Sequence, residues 1–157
     1  MKSLSRNIAI ALFFAFVIGL IYGCAEKPIT FSGPGVQIWK LNAIYDDGYG
    51  WKDQTLVLKP SETEKDVFHV TATINVETES DIWGQIIASM KWKGEIRNNA
   101  MICNITGINN VEGPDPGSYT FFGEAKGTFS KRRASGTSQL RYMGGARYGK
   151  WTAERIS

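Results

Sequence analysis

The sequence predicts an all-β fold: an antiparallel meander of about seven to nine strands closing into a small barrel. Three observations predict it. Apolar and polar residues alternate at period two over long stretches, most clearly in Val67–Val76. There Phe68, Val70, Ala72, Ile74 and Val76 point one way, and His69, Thr71, Thr73 and Asn75 the other, as in a half-buried antiparallel strand. Short turn signals separate such stretches, so neighbours in sequence are expected to pair in space. Glycines recur within strands at Gly123, Gly127, Gly136 and Gly149, where they permit the coiling and corners that a small barrel needs.

The first 24 residues stand apart. Lys2 and Arg6 form a basic start, and Ile8–Tyr22 is an unbroken apolar run. A basic start followed by about 7–15 apolar residues reads as an export signal. Counted from Ile8 to Ala25, the run reaches the lower edge of the roughly 20 residues that span a bilayer. An ordinarily cleaved signal and an uncleaved anchor are therefore alternatives. The end of the run, Ile21-Tyr22-Gly23-Cys24, resembles the lipobox of bacterial lipoproteins, with an aliphatic residue three before the cysteine and a small one just before it. The resemblance implies that residues 1–23 are removed, that the Cys24 sulfur takes a diacylglyceryl group, and that the new amino end takes a further palmitate-type chain. Two or more chains anchor stably where one does not. Ala rather than Asp at position 25 implies, by the same resemblance, the outer membrane where the host has one. The expected localisation is the cell envelope, with the domain outside the cytoplasm.

Removing residues 1–23 leaves 134 residues, Cys24–Ser157. Residues 24–35, with Pro28, Ser32, Gly33, Pro34 and Gly35, read as a flexible tether. Residues 36–157 read as a single domain. Charge is uneven along the mature chain: 8 basic and 13 acidic residues in Ala25–Pro116, against 8 basic and 2 acidic in Gly117–Ser157. Mutual neutralisation across the fold is the expected outcome.

The elements follow in order. Val36–Tyr45 places Trp39, Leu41, Ala43 and Tyr45 on one face. Asp46-Asp47-Gly48-Tyr49-Gly50 is a turn. Thr55–Lys59 reads as a short strand, Pro60–Asp66 as a polar loop, and Val67–Val76 as the strand described above. Glu77-Thr78-Glu79-Ser80-Asp81 reads as its solvated end. Ile82–Trp92 is ambiguous: Ile82, Ile86, Ile87 and Met90 have helical spacing, while Ile86, Ala88, Met90 and Trp92 alternate. The β-rich surroundings favour strand, and a short helix over a barrel mouth is the alternative. Gly94–Arg97 and Ala100–Ile108 read as a hairpin about Asn98-Asn99. Asn109–Gly117 reads as a loop. Ser118–Ser130 is a long strand with Tyr119, Phe121, Gly123, Ala125, Gly127 and Phe129 on one face. After a turn at Lys131-Arg132-Arg133, Ser135–Met143 pairs back, with Gly136, Ser138, Leu140 and Tyr142 together. Gly144-Gly145-Ala146 turns again, and Arg147–Ile156 ends the chain.

That ending also carries a resemblance. The run Gly127-Thr128-Phe129, Ser135-Gly136-Thr137 and Gly149-Lys150-Trp151-Thr152-Ala153-Glu154-Arg155 resembles the close of small bacterial β-proteins of lipocalin-like, or calycin-like, shape. It covers about the last fifth of the chain. It implies a lipocalin-like barrel in which Trp151 is a floor residue and Arg155 its polar cover.

No catalytic constellation emerges, so the chain is not expected to be an enzyme. His69 lies on a polar face without ligand-spaced partners. Asp46 and Asp47 lack the alternating oxygen ligands and distal Glu of a calcium loop. Cys103, within Met101-Ile102-Cys103-Asn104-Ile105, reads as a buried small hydrophobe. Neither metal nor cofactor is expected. Nucleic acid is not an expected partner of an exported protein. Two functional readings remain. In the first, the barrel is a membrane-anchored, non-catalytic binding module for a small apolar or envelope-derived ligand, lined by Trp39, Phe121, Tyr142 and Trp151. In the second, it is an accessory lipoprotein (an assembly factor, pilotin or inhibitor) that meets another envelope protein through exposed aromatics such as Phe122 and Tyr148. Lys131, Arg132 and Arg133 are candidates for contact with an anionic surface, or a solvated turn.

Overall fold

The computed structural model describes residues 35–80, 84–114 and 116–157. The signal, Cys24 and the tether up to residue 34 lie outside the described residues. Eight strands follow one another: β1 (Gln37–Tyr45), β2 (Gly50–Pro60), β3 (Val67–Ser80), β4 (Gly84–Arg97), β5 (Ala100–Glu112), β6 (Gly117–Phe129), β7 (Arg133–Tyr142) and β8 (Gly145–Arg155). Each pairs antiparallel with its neighbour, and β8 returns to β1, from Trp39 opposite Arg155 to Tyr45 opposite Gly149. The result is a closed eight-stranded barrel in sequence order, an architecture that lipocalins share.

Because every strand reverses, the turns divide into two sets. β1 starts at one pole, where the 61–66, 98–99 and 130–132 connections lie and β8 ends. The 46–49 and 143–144 turns lie at the other pole, called the mouth below. At the first pole the start of β1 is clasped to the residues that follow β8: Ile38 N donates to Ser157 O at 3.1 Å, and Ile156 N to Ile38 O at 2.8 Å.

Several elements differ from their expected bounds. β2 begins at Gly50 rather than Thr55. A bulge explains this: the extra residue falls where Leu41 faces Gln54 but Ala43 faces Trp51, and Asp53 takes φ 58°. Trp51 and Leu56 are thus both buried although their positions differ by five, which would put them on opposite faces of a regular strand, and this hides the alternation. Asn42 Oδ1 accepts the bulge's Asp53 N–H at 2.8 Å. β3 runs on to Ser80. Residues 84–97 form one strand: the helix alternative fails over 84–92, and Gly94 is no break. A Cβ there would lie 2.0 Å from Ile102 O, so the glycine allows close strand approach. Residues 81–83 lie outside the described residues. β5 continues to Glu112, since Asn109 and Asn110 pair with Ala88 and Ile87. Arg133 opens β7 rather than closing the turn, its N–H donating to Ser130 Oγ at 3.2 Å. Gly145 likewise opens β8.

The Asn98-Asn99 turn holds both residues at positive φ, 50° and 66°, as a two-residue hairpin of type I′ requires. A bidentate pair between Arg97 and Glu64, at 2.5 and 3.0 Å, ties the 61–66 loop to the end of β4.

Inside, the barrel is filled. A relay of rings crosses it: Trp39 on Phe129 (5.0 Å between centroids), Phe129 on Trp151 (6.0 Å), Trp151 on Trp92 (6.1 Å) and Trp92 on Trp51 (5.9 Å). Three of the four contacts are edge-to-face, the arrangement in which such pairs add about 0.5–1.5 kcal/mol each beyond area burial. Leu41, Leu56, Leu58, Ile74, Ile96 and Ile105 complete the packing around them. The interior glycines do not leave a void. Trp151 lies across Gly136 and Gly127, where a Cβ would meet Cζ2 at 2.7 and 2.2 Å. Phe121 covers Gly107 and Tyr45 covers Gly149 in the same manner. Each ring thus leans onto the preceding strand around the barrel.

Candidate functional site

The four residues expected to line a ligand part company. Trp39 and Trp151 are fully buried in the ring relay, away from the recess at the mouth. Trp39 Nε1 donates to Gln37 Oε1 at 3.3 Å. Trp151 Nε1 donates to Lys126 O and Thr137 O, both at 3.2 Å, across the paired glycines. Arg155 sits opposite Trp39 in register and is exposed. Phe121 and Tyr142, by contrast, meet at the mouth. With Met90, Leu140, Tyr49 and Arg147 they line a recess of about 130 Å³. Tyr119, on the same strand face as Phe121 by alternation, is exposed.

Arg147 was not among the sequence candidates. It occupies the inward position of β8 two residues before Gly149 and four before Trp151. Its guanidinium carbon lies 4.7 Å from the Tyr49 ring centroid and 5.7 Å from that of Tyr142. Cation–π contact of this kind contributes about 0.5–1 kcal/mol at exposed sites and more when desolvated. The Asp47 carboxylate approaches Arg147 Nε at 2.5 Å, out of line for a hydrogen bond. Asp47 Oδ1 also accepts the Tyr49 N–H at 3.1 Å. The β1–β2 turn therefore carries both the carboxylate and one ring of the clamp. Backbone bonds hold that turn: Tyr45 N donates to Tyr49 O at 2.7 Å, and Asp46 N to Tyr148 O at 2.9 Å.

Beside this clamp lies a buried polar pair. Tyr45 crosses Gly149 towards Ser138, which faces Gly149 from β7. Both side chains are buried, and neither hydroxyl makes an aligned hydrogen bond. Burial raises the Tyr45 phenol above its usual range, with Ser138 and Arg147 pulling the other way. Burial raises Tyr49 likewise, against the charge of Arg147.

The other chemistry-bearing residues stay apart. Cys103 is buried against Gly94, and burial pushes its thiol up to about 12. A thiol so placed is not a nucleophile at neutral pH. His69 lies on the outer face, its Nδ1 3.6 Å from Glu95 Oε1. Among the described residues, no three His, Cys, Asp or Glu side chains group as a metal site. Lys131, Arg132 and Arg133 are exposed at the pole opposite the mouth, and Arg133 Nε lies 3.5 Å from Glu154 Oε1. A shallow outer groove runs beside them, past Ser130, Ser135 and Thr152. Phe122 and Tyr148 are exposed on the outer face, 60% and 55% accessible.

No family model, curated protein or solved structure matches the chain.

Proposed function

We propose that this protein is an envelope lipoprotein in which acyl chains on Cys24 hold a small, non-catalytic binding barrel at the membrane. Its ligand is taken at the mouth, not in the lumen. The observation that supports this reading is the division between the two poles. β1 starts where β8 ends, so a tether joined to its start would meet the barrel at that pole. Lys131 and Arg132 in the turn, with Arg133 at the start of β7, are at the same pole and would face anionic headgroups, where each basic residue near the surface adds about 1 kcal/mol. The recess opens at the other pole, away from the bilayer. The filled lumen argues against a long acyl chain as cargo. The outer membrane is the proposed location where the host has one, from Ala25.

Palmitate labelling of the wild type beside Cys24→Ser tests the anchor. The expected result is a labelled, membrane-bound wild type and an unlabelled, released variant; equal labelling sinks the lipoprotein reading. Native mass spectrometry of protein purified from its host tests the binding role. A bound small molecule supports it, and apo protein in every preparation counts against it.

A second reading has its own observation. Phe122, Tyr148 and Met143, the last 96% exposed, place large apolar groups on the outer β6–β8 face and the adjoining turn. As an accessory lipoprotein, the chain would meet an envelope protein there. One dominant crosslinked partner, lost on Phe122→Ser, would favour this reading; a clean monomer would reject it.

A further inference from the structure

We infer that the mouth recess is built for a small monocarboxylate with an apolar body. The carboxylate would meet Arg147, and the body would lie against Phe121, Met90 and Leu140. The inference rests on the binding-module reading above and narrows it to a ligand class.

Size comes first. The recess measures about 130 Å³. An apolar cavity of roughly 150 Å³ holds benzene. A single ring or a short branched chain therefore fits, and a long acyl chain does not. The lining is also segregated. Met90, Phe121 and Leu140 are almost wholly buried and form an apolar floor, while Thr78, Asn109 and Arg147 bring polar groups. Pockets that select small molecules commonly combine an apolar lining with a few convergent polar groups.

The cation defines the sign of the ligand. Arg147 points into a barrel whose other inward β8 residues are Gly149, Trp151 and Ala153. The Tyr49 and Tyr142 rings lie beside its guanidinium, 4.7 and 5.7 Å from centroid to carbon. Asp47 lies close enough to balance its charge but too far out of line to satisfy its Nε–H. Among the described residues, no acceptor meets its Nη amines. A planar guanidinium with unused donors matches the two oxygens of a carboxylate. A cationic ligand would have to displace Arg147 from the two rings it already occupies. Asp47 is then a competitor: an incoming carboxylate takes the aligned donors, and Asp47 is left as a like charge nearby.

The test uses the full-length chain, purified in detergent, with 4-fluorobenzoate as the probe and ¹⁹F NMR line width as the readout. 4-Fluorobenzamide is the uncharged control of nearly equal shape. Saturable binding of the acid is expected, with the amide at least about tenfold weaker, as the loss of a charge-assisted contact implies. Arg147→Met should lose binding by a similar factor, while Asp47→Asn should tighten it. Ile86→Phe fills the recess and should abolish binding with Arg147 intact. Near-UV circular dichroism shows whether each variant keeps its ring packing, and Ile86→Phe carries the test if Arg147→Met does not fold. Equal binding of acid and amide, or weaker binding by Asp47→Asn, overturns the carboxylate assignment. No binding of either probe overturns the site. Native mass spectrometry from the host still judges the wider binding role in each of those cases.

Discussion

Cys103 sits on β5 with its sulfur against Gly94, away from water. Its thiol is pushed up to about 12 by burial alone. In the unfolded chain a thiol ionises near 8.5. Between these values the unfolded state binds fewer protons, so stability falls as pH rises. The contribution is complete below about 8.5 and is lost on the way to 12. Tyr45 and Tyr49, both raised, extend the loss from about 10 upward. Urea midpoints should therefore be flat from about pH 6 to 8 and decline above about 9. In Cys103→Ala the decline should begin nearer 10, whatever the variant's overall stability. A second residue test concerns Gly136. A Cβ there would lie 1.9 Å from Lys126 O and 2.7 Å from Trp151, so Gly136→Ala should cost at least about 3 kcal/mol by urea unfolding. Gly145→Ala, whose Cβ meets nothing nearer than 3.6 Å, should stay within about 0.5 kcal/mol of wild type. At this scale the sequence was partly legible. Phe121 and Tyr142 follow from face alternation, as do Trp39 and Trp151, but alternation says only which way a side chain points. Whether it lines space or fills it depends on the glycines across the barrel. Arg147 was missed because an inward arginine has no hydropathy signal. Counting back by twos from Trp151 through Gly149 would have found it.

The turns and bulges decide where each strand runs. Asn98 and Asn99 both stand at positive φ, a conformation that costs most L residues about 1–2 kcal/mol and Asn less. Asn99→Gly should therefore leave stability equal or slightly higher. Asn99→Val should lower it by about 1–2 kcal/mol. Thermal unfolding of the two variants side by side is the measurement. This hairpin was legible because its chemistry is local. β2 and β4 were harder for opposite reasons. The bulge at Asp53 shifts the phase of alternation midway, so β2 looked half its length. In β4 the phase is constant, but Ile86, Ile87 and Met90 happen to satisfy helical spacing as well. Pairing with β3 and β5 along its length removes the ambiguity, and pairing is not a property of the segment alone.

As a whole, the barrel has one core reached by all eight strands. Unfolding in urea is expected to be a single transition, with tryptophan fluorescence and far-UV circular dichroism giving the same midpoint. Two displaced curves would show that part of the barrel opens on its own. The meander and its closure were readable from short turns and the need to hide edges. The solidity of the interior was not. Small residues on the last three strands suit an empty pocket and a tight coil equally, and only the tilt of Trp151, Phe121 and Tyr45 over their neighbours decides between them. The clasp between Ile38 and the Ile156–Ser157 end has an engineering consequence. The start of β1 and the end of β8, held this close, make the barrel itself a ring with one cut. A circular permutant joined there and reopened at Met143-Gly144 would keep every strand beside its present neighbours. Its new amino end would emerge at the mouth. Under the proposed lipid anchoring, such a permutant given an amino-terminal lipidation signal would stand upside down, with the recess pressed to the bilayer and the basic turn facing outward. A function that needs the recess free should fail in this inverted molecule while its stability and lipid labelling persist.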